Sequence, residues 1–329
     1  EIVYNANAQQ WYHYNGKVWL EDTGGIIAKQ KMKEMSKALF VYACNLPVTD
    51  KGQPHPFIKY VNRLGNHTDR EKVLKDAQSK IYVYQTDFDK NGDLFNCQNG
   101  TLNLKTFEFK QHNPTDLLSK ISNVIYEPHA LCPRFEKFMG EIMLDNKEKI
   151  DYLQRAIGYS LTTDTSQETC FILYGPTTRN GKGTLTDTIL YMFGDYAKTA
   201  SPETFAVKTF KDSTRANGDV ARLNECRFLN MSEPSQQLTI DSALLKSLLG
   251  RDKVTARFLH KDIFEFYPKF KVFINCNYLP IIDDNTVFSS GRVNVITFDR
   301  HFKGHEQDKN LKDKLKNDYQ KTYDCVKKV

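Results

Sequence analysis

The sequence has no closely spaced cysteine pair, no apolar run near membrane length and only two tryptophans in 329 residues. Its seven cysteines stand singly at 44, 97, 132, 170, 226, 276 and 325. An odd count without a Cys-x-x-Cys pair argues against a disulfide framework and a zinc site, and points to a reducing, cytoplasmic compartment. The eight histidines show no metal-ligand spacing. Apolar runs such as Phe171 to Tyr174 are far shorter than the ~20 residues of a membrane span, and mean hydropathy is −0.56, so no membrane association is expected. The first residues, Glu1 to Asn7, lack both the basic start and the apolar core of a signal peptide. They also lack an initiator methionine, which suggests a piece of a longer protein.

What is present is enough for a sizeable core: 40% hydrophobic and 26% charged residues, over a length that suits about two domains. The net charge of +6 permits nucleic-acid binding without requiring it. Residues 1–130 read as a smaller mixed α+β domain. Trp11 to Tyr14, the turn Asn15-Gly16 and Lys17 to Leu20 form a hairpin pattern. The apolar spacing predicts a helix over 26–44, and Thr68 caps a second helix through about Ser79. Short strands follow at 80–85, 94–97, 102–104 and 107–109. Trp11, Tyr12, Tyr14 and Trp19 are more readily core or hairpin residues than base-stacking ones. Asp87 to Asp93 opens like a calcium loop, but Gln98 stands where a bidentate Glu is required.

Residues 131–305 read as the larger domain, with a helical lead-in over 131–165. From Glu168 the pattern is strand, glycine turn, helix and further strands, which is an α/β unit with a mainly parallel sheet. A terminal amphipathic helix is expected over 306–329.

The most informative segment is the strand Thr169 to Tyr174, followed by Gly175-Pro176-Thr177-Thr178-Arg179-Asn180-Gly181-Lys182-Gly183-Thr184 and a helical run. A strand, a glycine-bearing turn and a helix N-terminus are what a triphosphate requires, with backbone N–H groups on the phosphates and Lys182 on the β and γ oxygens. The match to G-x-x-x-x-G-K-[S/T] is imperfect: five residues separate Gly175 from Gly181, and Gly183 stands where a magnesium-binding hydroxyl is expected. Thr184 could supply it, or merely cap the helix. A solvated glycine loop with a surface lysine would show the same pattern.

Three weaker features follow. Arg227 to Met231 is an apolar strand leading to Ser232-Glu233, where a nucleotide hydrolase places acids for Mg²⁺ and the attacking water; a core strand with an exposed Glu reads the same. Lys271 to Asn277 is a strand ending in a polar side chain able to reach a γ-phosphate or water, or simply starting a turn. Arg292, on a loop before the strand 293–298, suits an arginine finger or an ordinary surface position. Between the strands at 227–231 and 271–277, Val254 to Tyr267 reads as a hairpin whose tip carries His260 and Lys261, which could grip phosphates.

Together these residues carry a resemblance. Segment 168–302 resembles the superfamily 3 helicases of the AAA+ class, in the phage, plasmid and poxvirus-type primase-helicase branch. The residues are Gly175 to Lys182, Ser232-Glu233-Pro234, Leu245 to Asp252, Thr255-Ala-Arg257, Phe264 to Pro268, Asn277-Tyr-Leu-Pro280 and Gly291-Arg292. The stretch from Asn99 to Thr106 is similar to the helicase-associated N-terminal domain of that family. The likeness covers about two-thirds of the chain.

The resemblance implies an AAA+-type P-loop domain in which Lys182 is the phosphate lysine, Glu233 the catalytic acid, Asn277 the sensor and Arg292 a finger acting across a subunit interface. It further implies a hexameric ring that hydrolyses ATP with Mg²⁺ and moves 3′ to 5′ on single-stranded or forked DNA. In it, His260 and Lys261 line the channel, and a primase or polymerase is a natural partner. Thr184 and Glu233 are the candidate Mg²⁺ ligands, because Gly183 and Ser232 depart from the family pattern. The rival readings are an ATP-holding DNA-binding or assembly protein and a P-loop small-molecule kinase.

Overall fold

The computed structural model describes residues 1–207, 217–232, 238–259, 262–284 and 286–319. They form two compact units, Glu1–Asn91 with His112–Ser119, and Gly92–Gln111 with Lys120 onward.

The smaller unit has strands β1 (Ile2–Asn5), β2 (Gln10–Tyr14) and β3 (Trp19–Asp22), helices α1 (Ile26–Cys44), α2 (Phe57–Arg63) and α3 (His67–Ala77), and strand β4 (Tyr82–Val83). The sheet order is β3-β2-β1-β4. The expected hairpin is β2 and β3, with Tyr14 opposite Trp19 and Gly16 at φ 100° in the turn. Asp22 starts α1 by accepting hydrogen bonds from the Ile27 and Ala28 amides at 3.0 and 2.8 Å. Trp11 packs with Ala28, Met32, Leu64 and Leu74. Trp19 is buried and donates its indole N–H to the Pro114 carbonyl at 2.9 Å. α3 begins one residue before Thr68, after an extended Asn66, so Thr68 lies inside the first turn and is not the cap. The strand expected over 80–85 shortens to β4.

The larger unit opens with the meander β5 (Leu94–Cys97), β6 (Gly100–Asn103) and β7 (Phe109–Lys110), then α4 (Pro133–Met143) and α5 (Lys147–Tyr159). Strand β8 (Cys170–Tyr174) leads to α6 (Lys182–Phe193), β9 (Ala197–Ala200) and β10 (Phe228–Met231). Helix α7 (Ser242–Leu249), the hairpin β11 (Val254–Arg257) and β12 (Ile263–Phe266), β13 (Lys271–Cys276), β14 (Val293–Thr297) and α8 (Leu311–Tyr319) complete it. The main sheet is parallel throughout, ordered β14-β8-β13-β10-β9.

Its central strands β8, β10 and β13 are largely apolar because both faces are covered. Side chains alternate with period two: Phe171 and Leu173 join Phe138, Ile142, Leu185 and Ile189 on one face, while Cys170 and Ile172 join Leu229, Ile274, Leu245 and Leu248 on the other. Burial raises the Cys170 thiol to about 12, as befits a small hydrophobe.

The strands of 92–111 stand before the expected boundary near residue 130 and pack in the larger unit. Phe95 stacks on Tyr196 with centroids 4.8 Å apart, and buried Arg227 donates to the carbonyls of Leu94 and Leu161, both at 2.7 Å. The terminal helix starts at Leu311, after a 3₁₀ turn at Gly304–Glu306; the expected stretch 320–329 lies outside the described residues.

Lys271, at the same amino end of the sheet, is also buried; its ammonium donates to the Thr162 carbonyl at 2.7 Å and lies 4.4 Å from the Tyr159 ring centre. Burial, reinforced by Arg227, lowers its pKa to about 7. Between pH 7 and about 10.5 the unfolded chain therefore binds the proton that the folded chain has shed, so stability rises with pH there and is flat below. Chemical unfolding should show the parent gaining about 2 kcal/mol more than Lys271→Met between pH 7 and 9. Equal gains would disprove the burial cost.

Candidate functional site

The site lies at the carboxyl ends of β8 and β13, where open parallel sheets bind ligands. After Tyr174 the chain turns through Gly175–Gly181 into α6, whose first residue is Lys182. A Cβ on Gly175 would lie 2.3 Å from the Asn180 amide nitrogen and 2.8 Å from Lys182 Nζ. Gly181 has φ 88°, and a Cβ there would meet Ile142 of α4 at 2.4 Å. Both glycines are thus required by close packing. Buried Asn180 clamps the loop by donating to the Thr177 carbonyl at 2.5 Å.

Lys182 is buried to 3% exposure, and its ammonium donates to the Gly175 carbonyl at 3.2 Å and to Asn277 Oδ1 at 2.9 Å. Two residues 95 apart in the chain meet because β13 pairs directly with β8, Cys276 opposite Tyr174. The loop is braced from the other side: the Phe298 amide donates to Tyr174 O at 2.7 Å and the Phe302 amide to Arg179 O at 2.9 Å. His301 Nδ1 lies 2.8 Å from Thr178 O. Pro176, Thr177, Thr178, Arg179 and Gly183 are exposed around the loop. A helix N-terminus beside a held ammonium is an anion site.

A chain of polar side chains behind the loop is not signalled by any motif. Asn275 donates to Asn230 Oδ1 at 2.7 Å and to Thr186 Oγ1 at 3.0 Å, and Thr186 donates to the Lys182 carbonyl at 3.0 Å. It ties β10, β13 and α6 together. The available signal was an Asn interrupting each of two otherwise apolar strands. Beside the loop lies a cavity of about 590 Å³, lined by Arg134, Phe138, Arg179, Thr184, Arg300 and Phe302 among others. Thr184 therefore faces this cavity.

Arg292 is not brought to the loop of its own chain. It precedes Val293, which pairs with Cys170 at the start of β8, so it sits a strand length, roughly 15 Å, from the phosphate end. Its guanidinium contacts Glu168 at 2.5 Å. Glu233, His260 and Lys261 lie outside the described residues. The hairpin that carries the last two is present, with Val254 opposite Phe266 and Arg257 opposite Ile263. Among the described residues no cluster of His, Cys, Asp and Glu suits a metal, and no helix is long and apolar enough to cross a membrane.

Residues 1–144 match the family described as D5 N terminal like, and residues 173–292 match a family of unknown function, DUF5906. Three viral proteins named "Putative helicase" are similar. The one from Acanthamoeba polyphaga mimivirus is 26% identical over 315 residues, 90% of this chain and 32% of the relative. That of Frog virus 3 is 28% identical over 208 residues, 62% of this chain and 20% of the relative, and that of Invertebrate iridescent virus 3 is 24% identical over 261 residues, 75% and 27%. This chain is similar to virus-encoded proteins with helicase names. It spans a third or less of their lengths. In fold it resembles the apo C-terminal region of NrS-1, with TM-score 0.53 and 11% identity, covering 100% of this chain and 64% of that one.

Proposed function

We propose that the chain is the motor portion of an ATP-dependent replicative DNA helicase of a virus, phage, plasmid or other mobile element. The observation that carries this is the placement of Lys182 between the Gly175 carbonyl and Asn277 at the carboxyl ends of adjacent strands. A γ-phosphate entering there exchanges a neutral amide and a carbonyl for three anionic oxygens, which a buried ammonium binds more strongly. The α6 N-terminus faces the rest of the phosphate chain, and the adjoining cavity, with Phe138 and Phe302 beside Arg134 and Arg300, is of a size and mixed character to hold a nucleoside. The helicase names of the relatives and the matched N-terminal segment favour a nucleic-acid motor over a kinase.

In this reading Asn277 senses the γ-phosphate, Glu233 orients the attacking water, and Arg292 acts on a neighbouring subunit of a hexameric ring. Its distance from its own loop suits action across an interface. The described donors around Lys182 are amides and hydroxyls, so a hard cation needs a carboxylate, which we assign to Glu233, with the Thr184 hydroxyl as the other candidate ligand. Mg²⁺ on the nucleotide would neutralise the β and γ oxygens. The partner is single-stranded or forked DNA, with a primase or polymerase in the same replication machinery and the cytoplasm as the compartment.

The test is steady-state ATP hydrolysis with and without single-stranded DNA. Strong stimulation is expected. Hydrolysis indifferent to DNA would favour the kinase, and tight ATP binding without hydrolysis an assembly protein. A companion substitution addresses coupling: Lys261→Ala is expected to abolish unwinding of a forked duplex while basal hydrolysis survives. Unchanged unwinding would remove Lys261 from the DNA path.

A further inference from the structure

Residues 26–80 hold eleven Lys and Arg against five Asp and Glu, a surplus of six. The segment is the helical part of the smaller unit, α1 to α3.

Its helices hide little of themselves. A surface helix normally buries an apolar stripe, yet of the nineteen residues of α1 only Ala28, Met32 and Ala43 are buried, and of α2 only Val61. Tyr42 and Tyr60 are each 60% exposed. Their rings flank Phe57: Tyr42 meets it edge-on at 6.4 Å, and Tyr60 stacks on it at 6.0 Å and 18°. Among the described residues Lys59, exposed next to Tyr60 on α2, takes part in no ion pair.

We infer that this α1–α2 surface is a single-stranded nucleic-acid site, separate from the motor and independent of ATP. Bases stack on the Tyr42 and Tyr60 rings, and Lys59, in a segment with a surplus of six positive charges, meets phosphates. Exposed aromatic rings with interspersed cations are the chemistry of sequence-tolerant single-strand binding. A duplex offers the cations its phosphates but keeps its base faces stacked inside. An acidic protein surface would satisfy the lysines and leave the rings in water. A single strand satisfies both, and would hold the track on the small unit while the motor exchanges nucleotide.

The test uses the whole chain without nucleotide and a fluorescent oligo(dT) on the order of 20 nucleotides, longer than one such site covers. Tyr42→Ala/Tyr60→Ala is expected to weaken binding at least about tenfold, and to leave affinity for a duplex of equal length within about twofold. Lys59→Glu is expected to weaken both and to flatten the salt dependence. All three positions are exposed, so these variants should fold. Parental affinity of either variant for oligo(dT) overturns the inference. So does a parallel loss of duplex binding in the tyrosine variant, because that would mark a charge effect alone. The measurement needs no hydrolysis and can be repeated in Lys182→Ala, so a failed motor reading leaves it intact.

Discussion

Replacing Lys182 by Ala is expected to lower DNA-stimulated ATP hydrolysis by at least about 10²–10³-fold, the scale of losing one preorganised transition-state donor. The ammonium has no substitute at that point. Arg179 is exposed on the outer side of the loop, and Arg292 lies at the other end of the sheet. Lys182→Arg is expected to fail nearly as badly, because Nζ already sits within 2.8 Å of where a Gly175 Cβ would be and a guanidinium is bulkier. Stability is expected to fall as well, because among the described residues the ammonium gives up two charge-assisted hydrogen bonds, with release of a buried charge offsetting part of the loss. Phosphate release with single-stranded DNA at saturating ATP measures the first effect and chemical unfolding the second. A Lys182→Ala protein that hydrolyses ATP at the parental rate would remove this site from catalysis.

Arg227→Ala is expected to destabilise the larger unit by about 3–5 kcal/mol without touching the phosphate loop. The guanidinium is 3% exposed and bonded to two carbonyls from distant segments, Leu94 and Leu161. It also lies 4.6 Å from the Tyr196 ring centre, a desolvated cation–π contact. Truncation orphans both carbonyls, at about 1–3 kcal/mol each, and leaves a cavity besides. Relief of charge burial and of the repulsion from Lys271 offsets part of this, so the net falls below the sum. Arg227→Lys should recover part of the loss, since an ammonium keeps the charge but cannot span both acceptors. Far-UV circular dichroism in a denaturant series is the appropriate probe, because both tryptophans are in the smaller unit. An unchanged midpoint would mean that water replaces the guanidinium without cost.

These two residues show what a linear reading can and cannot reach. Lys182 stands in a local pattern of consecutive apolar residues, a glycine turn and a helix start. Arg227 looks, in sequence, like the polar flank of a strand, because nothing near it announces that Leu94, 133 positions away, supplies its acceptor. For the same reason β5 to β7 resemble the short strands before them in sequence, and partners such as Tyr196 and Arg227 are what assign them to the larger unit. Thr68 looked like a cap by residue type, whereas backbone geometry starts the helix after Asn66. Asn230 and Asn275 carry no local signal beyond a polar residue in a core strand, yet they join β10 and β13 to the loop helix.

The sequence by itself determined the local units: the hairpin of β2 and β3, helix α1, the helical pair α4 and α5, the strand–loop–helix over 169–193 and the hairpin of β11 and β12. Each depends on periodicity, turn residues and capping among neighbours, which propensity and burial pattern encode directly. Tertiary structure alone decided which strands adjoin. Parallel strands are joined by long crossovers, so nothing in the residues of 170–174 states that 271–276 lies on one side and 293–297 on the other. That order brings Asn277 to Lys182, strings Asn230, Asn275 and Thr186 behind the loop, and sends Arg292 to the far end against Glu168.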